Sequence, residues 1–161
     1  MESQERSTRI AGRWDIPYEY AAGVTATRFF QELKDHQRIL GRRCPECRRV
    51  LLPPRAFCER CFVRTDEWVE VGPKGYVETF TVTYEAFAGL RQPPYVIGLI
   101  KLDGASTKLA HFVGEVNATK PDALLARVKD GFRVEAVFKT ERHGSILDIE
   151  YFRPVADGVR A

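Results

Sequence analysis

Four cysteines, Cys44, Cys47, Cys58 and Cys61, follow the pattern C-x2-C-x10-C-x2-C, and the chain contains no others. Each C-x2-C pair suits a tight turn that aims two sulfurs at one point. Two such turns supply the four thiolates of a tetrahedral zinc site. With four protein ligands no coordination position is left for water or substrate, so the expected zinc is structural. The same commitment removes every thiol from the pool of possible nucleophiles. A redox role would call for a thioredoxin-like βαβ pattern around the pairs, and the sequence lacks one.

At 161 residues and 44% hydrophobic content, the chain suits one ordinary domain or a small module joined to a larger one. Its longest apolar run, near Tyr95 to Ile100, is too short to span a bilayer. The first residues, Met1 to Arg6, are charged and lack the apolar region of a signal peptide. Zinc-spaced thiols without a spare fit a reducing compartment, so a cytoplasmic location is expected.

Along the chain, residues 1–24 read as irregular, with Trp14, Ile16, Pro17, Tyr18 and Tyr20 as aromatic and apolar points before Gly23. Such a segment packs back on its own domain or docks on a neighbour. From Thr25 to Leu40 the period turns helical through Phe29, Phe30, Leu33, Gln37 and Leu40, with Thr25 as the cap and Gly41 as the stop. The cysteine segment comes next, and Val50 to Arg55 between its knuckles reads as a short strand broken by prolines. Knuckles often carry glycine after the second cysteine; here Arg48 and Phe62 stand there.

After Trp68 the texture changes to short strands and turns. Trp68 to Val71, Tyr76 to Tyr84, Tyr95 to Leu102, Leu109 to Val113, Phe132 to Thr140 and Ile146 to Phe152 read as strands. A helix fits Pro121 to Val128, with proline in its first turn. In Tyr76 to Tyr84, alternation places Phe80, Val82 and Tyr84 on one face and Val77, Thr79, Thr81 and Thr83 on the other. Tyr95 to Leu102 is apolar on both faces apart from Lys101, which implies that a helix or a partner covers the outside. The expected fold is mixed and mainly β: a helix, a zinc ribbon, then a small OB-fold barrel. The expected organisation is an N-terminal extension and helix over 1–41, the ribbon over 42–66, the barrel over 67–155 and a tail over 156–161.

No motif for hydrolytic or phosphate-cradling chemistry stands out. Ser106 and Ser145 lie outside any G-x-S-x-G pattern, and His36, His111 and His143 are scattered without an evident acidic or nucleophilic partner. Charge says more. Between Arg38 and Arg64 there are eight arginines against Glu46 and Glu59. Part of that excess offsets a zinc–thiolate cluster of formal charge −2, and the rest suits an anionic ligand. The barrel segment is near neutral, with eleven Lys/Arg against twelve Asp/Glu. Phosphate contacts supply most of the affinity for nucleic acids, so a neutral barrel is a poor non-specific binder. A compact anion such as the phosphates of coenzyme A needs only a local arginine cluster. An OB-fold nucleic-acid-binding protein is the alternative. The candidates for phosphate contact are Arg42, Arg43, Arg48, Arg49 and Arg55.

Several runs resemble a known family. They include Tyr20-Ala21-Ala22-Gly23, Arg28-Phe29-Phe30, Leu40-Gly41-Arg42-Arg43-Cys44, Pro53-Pro54-Arg55, Trp68-Val69-Glu70-Val71, Leu102-Asp103-Gly104 and Phe152-Arg153-Pro154-Val155. That family pairs a rubredoxin-like zinc ribbon with an OB-fold and was long filed as domain of unknown function number thirty-five. The similarity runs from about Ile16 to Val155. It implies a non-catalytic accessory subunit of a heteromeric thiolase or related acyl-CoA enzyme that makes or breaks carbon–carbon bonds. Such a subunit helps hold coenzyme A or acyl-CoA and bridges to a larger thiolase-like catalytic chain. Two-component thiolases of anaerobic aromatic degradation are of this kind.

Overall fold

The computed structural model describes residues 10–12, 16–86, 89 and 91–155; Trp14 and the tail from 156 lie outside them. The first helix, α1, spans Gly23–His36 and buries Phe29 and Leu33. It begins earlier than the sequence suggests, with Ala22 at the cap position and no side-chain cap, and Thr25 lies inside the first turn. It also stops earlier. Gln37 adopts a left-handed conformation (φ 54°), and the Gln37 and Arg38 N–H groups both donate to the Glu32 carbonyl. That pair of hydrogen bonds closes a helix in the way a terminal glycine usually does. Leu40 therefore belongs to a strand.

Three strands form the ribbon sheet in the order β2-β1-β3: β1 (Ile39–Arg43), β2 (Val50–Leu51) and β3 (Glu67–Val71). Gly41 serves close approach in this sheet rather than helix termination. A Cβ there would sit 2.7 Å from Val50 Cγ1 and 3.0 Å from the Leu51 carbonyl oxygen. β3, whose texture resembles that of the barrel strands, pairs with β1 along its whole length from Val71 opposite Ile39 to Glu67 opposite Arg43.

The remaining strands, β4 (Lys74–Thr83), β5 (Tyr95–Leu102), β6 (Leu109–Val113), β7 (Arg133–Phe138) and β8 (Ile149–Pro154), close into a barrel of order β4-β5-β6-β8-β7. Between β6 and β7 lies α2 (Pro121–Lys129), which has its proline at the start as expected and buries Leu124. A register shift between Val77 and Thr79 corrects the alternation of β4. One extra residue at a bulge flips the parity of the strand beyond it. Val77 is consequently in the core, and Phe80 and Val82 pack against that same core instead of facing away from it. The segment that reads as a strand from Ile146 opens with a 3-10 turn, Ile146–Asp148, before β8 begins.

One hydrophobic core runs through all three parts. Phe29 and Leu33 of α1, Ile39, Leu40, Val50, Leu52 and Val71 of the ribbon, and Val77, Ile100, Leu102, Val134 and Phe152 of the barrel are contiguous. Polar stitches reinforce the seam. Ser106 Oγ accepts from Val50 N at 3.0 Å, and Ser106 N donates to the Val50 carbonyl at 2.8 Å. Thr107 Oγ1 accepts from Leu52 N at 2.6 Å and donates to the Leu52 carbonyl at 2.7 Å. The turn between β5 and β6 thus acts as a short strand partner for the ribbon. Thr107→Val keeps the shape but strips both partners from fully buried Leu52. We expect a loss of about 1–3 kcal/mol, read as a lower urea midpoint, with Thr107→Ser recovering most of it. An unchanged midpoint would show that the stitch contributes nothing.

Candidate metal centre and its arginines

The two knuckles are built alike. Cys44 N donates to the Arg49 carbonyl at 2.9 Å and Arg48 N to the Cys44 carbonyl at 3.1 Å. Correspondingly, Cys58 N donates to the Val63 carbonyl and Phe62 N to the Cys58 carbonyl, both at 2.9 Å. Each turn requires a left-handed residue after its second cysteine. Arg48 (φ 58°) and Phe62 (φ 55°) fill those positions in place of the usual glycine. Both backbones accept the cost of a side chain there, so the missing glycines leave the turns intact.

The knuckles bring Cys44, Cys47, Cys58 and Cys61 together, with all four sulfurs within 4.8 Å of one another. Cys47 and Cys58 are separated by 3.7 Å. A zinc–sulfur length of about 2.3 Å places tetrahedral sulfurs about 3.8 Å apart, so the cluster fits a single zinc ion. Cys44 and Cys58 are buried, Cys47 and Cys61 half-buried. The backbone N–H groups of Cys61 and Arg60 lower Cys58 to about 7, whereas burial pushes Cys61 up to about 12. A bound dication overrides the second effect, because a coordinating thiol is deprotonated outright.

The five predicted arginines do not converge on one point. Arg49 donates to Glu59 at 2.6 Å, and Arg55 approaches the same carboxylate at 3.4 Å. Arg43 and Arg48 share Glu67 at 3.4 and 3.9 Å. Arg49 is raised first by its bond to Glu59 and also by the charges of Cys47 and Cys58, so it offsets the cluster. Arg42 stands apart. It donates to Thr25 Oγ1 at 3.0 Å, lies 3.6 Å from Asp66 and stacks 5.1 Å from the Trp68 ring centroid.

His111 is held by both ring nitrogens. Nδ1 accepts from Phe112 N at 2.9 Å and Nε2 lies 3.2 Å from the Ile146 carbonyl, so the neutral ring donates from Nε2. Burial lowers its pKa. This histidine clasps β6 to the 3-10 turn, a long-range role that no local pattern announces. Beside it, two apolar hollows meet on the outside of β5 and β6. One, of about 230 Å³, is lined by Ile97, His111, Phe112 and Leu147. The other, of about 500 Å³, lies among Ala26, Phe29, Phe30, Pro53 and Pro54. Ala110 and Ile146 border both. The helix therefore covers only part of the barrel's apolar exterior.

A four-cysteine ribbon fused to a closed five-stranded barrel defines a zinc-ribbon protein with an OB-fold. Residues 31–67 match the rubredoxin-like zinc ribbon domain of ChsH2, and residues 68–139 match the ChsH2 C-terminal OB-fold domain. A DUF35 domain-containing scaffold protein of Methanocaldococcus jannaschii is 32% identical over 134 residues, covering 80% of this chain and 89% of that one. Its counterpart from Pyrococcus furiosus is 28% identical over 137 residues, covering 82% and 94%. Among solved structures, an Ltp2-ChsH2(DUF35) aldolase chain shares the fold with a TM-score of 0.60 at 22% identity, covering 84% of this chain and 98% of that one. The chain belongs to the DUF35 family.

Proposed function

We propose that this protein is a non-catalytic scaffold subunit of a cytoplasmic, heteromeric thiolase-type enzyme. Its larger partner carries the acyl-CoA carbon–carbon bond chemistry, and this chain bridges subunits and helps form the coenzyme A site. The observation that carries the proposal is the single cluster holding Cys44, Cys47, Cys58 and Cys61. A thiolase-type acyl transfer needs a nucleophilic cysteine beside a base. Here the four cysteines of the chain share one zinc-fitting site, and buried His111 spends both ring nitrogens on the backbone. Exposed Ile16, Tyr18 and Tyr20, with the apolar hollows on β5 and β6, offer surface for a partner. The aldolase relative in fold, in which a DUF35 chain is combined with Ltp2, supports the same assignment by analogy.

Nucleic-acid binding by the barrel is less well supported. Four of its eleven cations, Arg133, Arg153, Lys74 and Lys108, pair with Asp103, Glu135 and Glu78, which takes those four out of any basic track for a phosphate backbone.

The test is a tagged pull-down from the native host, followed by thiolysis assays on the catalytic chain with and without this subunit. Co-purification of a larger chain whose turnover rises on adding this protein is expected. Robust acyl-CoA cleavage by the purified single chain would overturn the proposal.

A further inference from the structure

Phe62 is unfavourable where it stands and contributes little to the fold. Its left-handed backbone (φ 55°) is one that glycine adopts freely and that a side chain disfavours. The ring is 84% exposed and, among the described residues, belongs to neither apolar cluster. Turn geometry and packing both leave this phenylalanine unexplained. An outlier of that kind points to a use outside the chain.

The rest of the knuckle narrows that use. Phe57, before the first of its cysteines, is 54% exposed and pairs across the hairpin with Arg64. The base of the hairpin is pinned, because Thr65 N donates to the Ala56 carbonyl at 3.0 Å and Thr65 Oγ1 donates to the Arg55 carbonyl. The tip is therefore held in one shape before a partner arrives. It is also cationic. Glu59 is the one carboxylate between Phe57 and Arg64, and Arg49 and Arg55 engage it. Among the described residues, no carboxylate pairs with exposed Arg60 or Arg64. Arg64 lies over the Phe57 ring, 5.8 Å from its centroid, and this contact separates the classes of partner. A nucleic-acid base stacking on that face would have to displace the guanidinium, and a bilayer taking in the ring would have to take in the charge with it. A protein surface with carboxylates around an apolar pocket accepts both.

We propose that Phe57 and Phe62, together with Arg60 and Arg64, form a docking tip for an apolar pocket rimmed by carboxylates on a partner protein. Aromatic and arginine side chains are the types that dominate protein interfaces. Taking the partner to be the larger catalytic chain rests on the function proposed above.

The experiment measures, by calorimetry, the dissociation constant between the zinc-loaded full chain and the larger chain that co-purifies with it. Phe62→Gly should weaken the complex about thirtyfold, as loss of an interface anchor does. The same change should leave the thermal midpoint of the free chain unchanged or higher, because glycine suits the turn. A purely structural residue would move both readouts together. Arg60→Glu and Arg64→Glu should each weaken the complex about tenfold and flatten its salt dependence. Leu125→Ser, at an exposed apolar position on α2, should change neither readout. A complex indifferent to Phe62→Gly, Arg60→Glu and Arg64→Glu overturns the tip and leaves the accessory function standing. Wild type that binds no larger chain overturns both. Phosphatidylglycerol vesicles or a single-stranded oligonucleotide held by wild type and lost by Phe62→Gly, with the complex unaffected, would assign the tip to that ligand and overturn the protein partner.

Discussion

Stripping zinc from the four-cysteine centre with a strong chelator is expected to unfold both knuckles and release β1, β2 and β3 from the barrel. Structural zinc contributes on the order of 10 kcal/mol at neutral pH, comparable to the whole stability of a typical domain. Little else holds the knuckles. Beyond the cysteines, their own apolar cluster comprises, among the described residues, buried Leu51 and partly buried Val63. Each turn also stores a left-handed non-glycine residue, Arg48 or Phe62. The damage should spread, because Val50, Leu52, Ile39 and Leu40 share a core with Ile100, Leu102 and Phe152. Hydrogen exchange is the suitable measurement. Protection over 39–71 should collapse while β5 and β6 retain part of theirs, and the thermal midpoint should fall. Cys47→Ser should mimic chelation. A metal-free protein with full protection over 39–71 and freely alkylated thiols would show that the ribbon stands on packing alone.

How much of this was legible in the sequence depended on whether the signal was local. The cysteine pattern is local, because C-x2-C spacing dictates turn geometry, and it led directly to the centre. The strands of the barrel were legible from period-2 runs bounded by turn residues. The bulge in β4 was not, since an extra residue near Glu78 looks like any other position until pairing is known. The end of α1 was missed for a related reason. Gln37 takes the left-handed turn usually left to glycine, while Gly41, the obvious stop signal, is needed for contact with Val50.

Charge was the least legible signal, because counting within a sequence window ignores partners folded in from outside it. The arginine excess between Arg38 and Arg64 looked available for a ligand. Glu67 returns on β3 to meet Arg43 and Arg48, Glu70 meets Arg38, and Glu32 approaches Arg38 from α1. The Ser106 and Thr107 stitches were equally hidden, since they join residues 56 and 55 positions apart.

Replacing Asp148 is expected to be the most damaging single change in the barrel that leaves the apolar core untouched. Its carboxylate is 2% exposed and accepts from His143 N at 3.0 Å, Gly144 N at 2.8 Å and Ser145 N at 3.2 Å. Ser145 returns the bond by capping Leu147 N at 3.2 Å. This knot fixes the 3-10 turn that carries Ile146 and Leu147, which border the apolar hollows beside His111. Asp148→Ala orphans three backbone donors at once and should cost about 3 kcal/mol. Asp148→Asn keeps one acceptor oxygen and should cost roughly half as much. The pH dependence separates charge from shape. Burial alone raises the Asp148 pKa, but the three N–H donors and the charge of His143 outweigh it, leaving the pKa below its ordinary value. The unfolded chain then binds the proton more readily than the folded one. The stabilisation is complete above the unfolded carboxylate range near about 4 and is lost as pH falls towards the lower folded value. Denaturation midpoints from about pH 7 down to about 2 should therefore converge for wild type and Asp148→Asn in acid. Parallel curves with a constant gap would mean that the anion's charge is irrelevant and that Asp148 acts through shape alone.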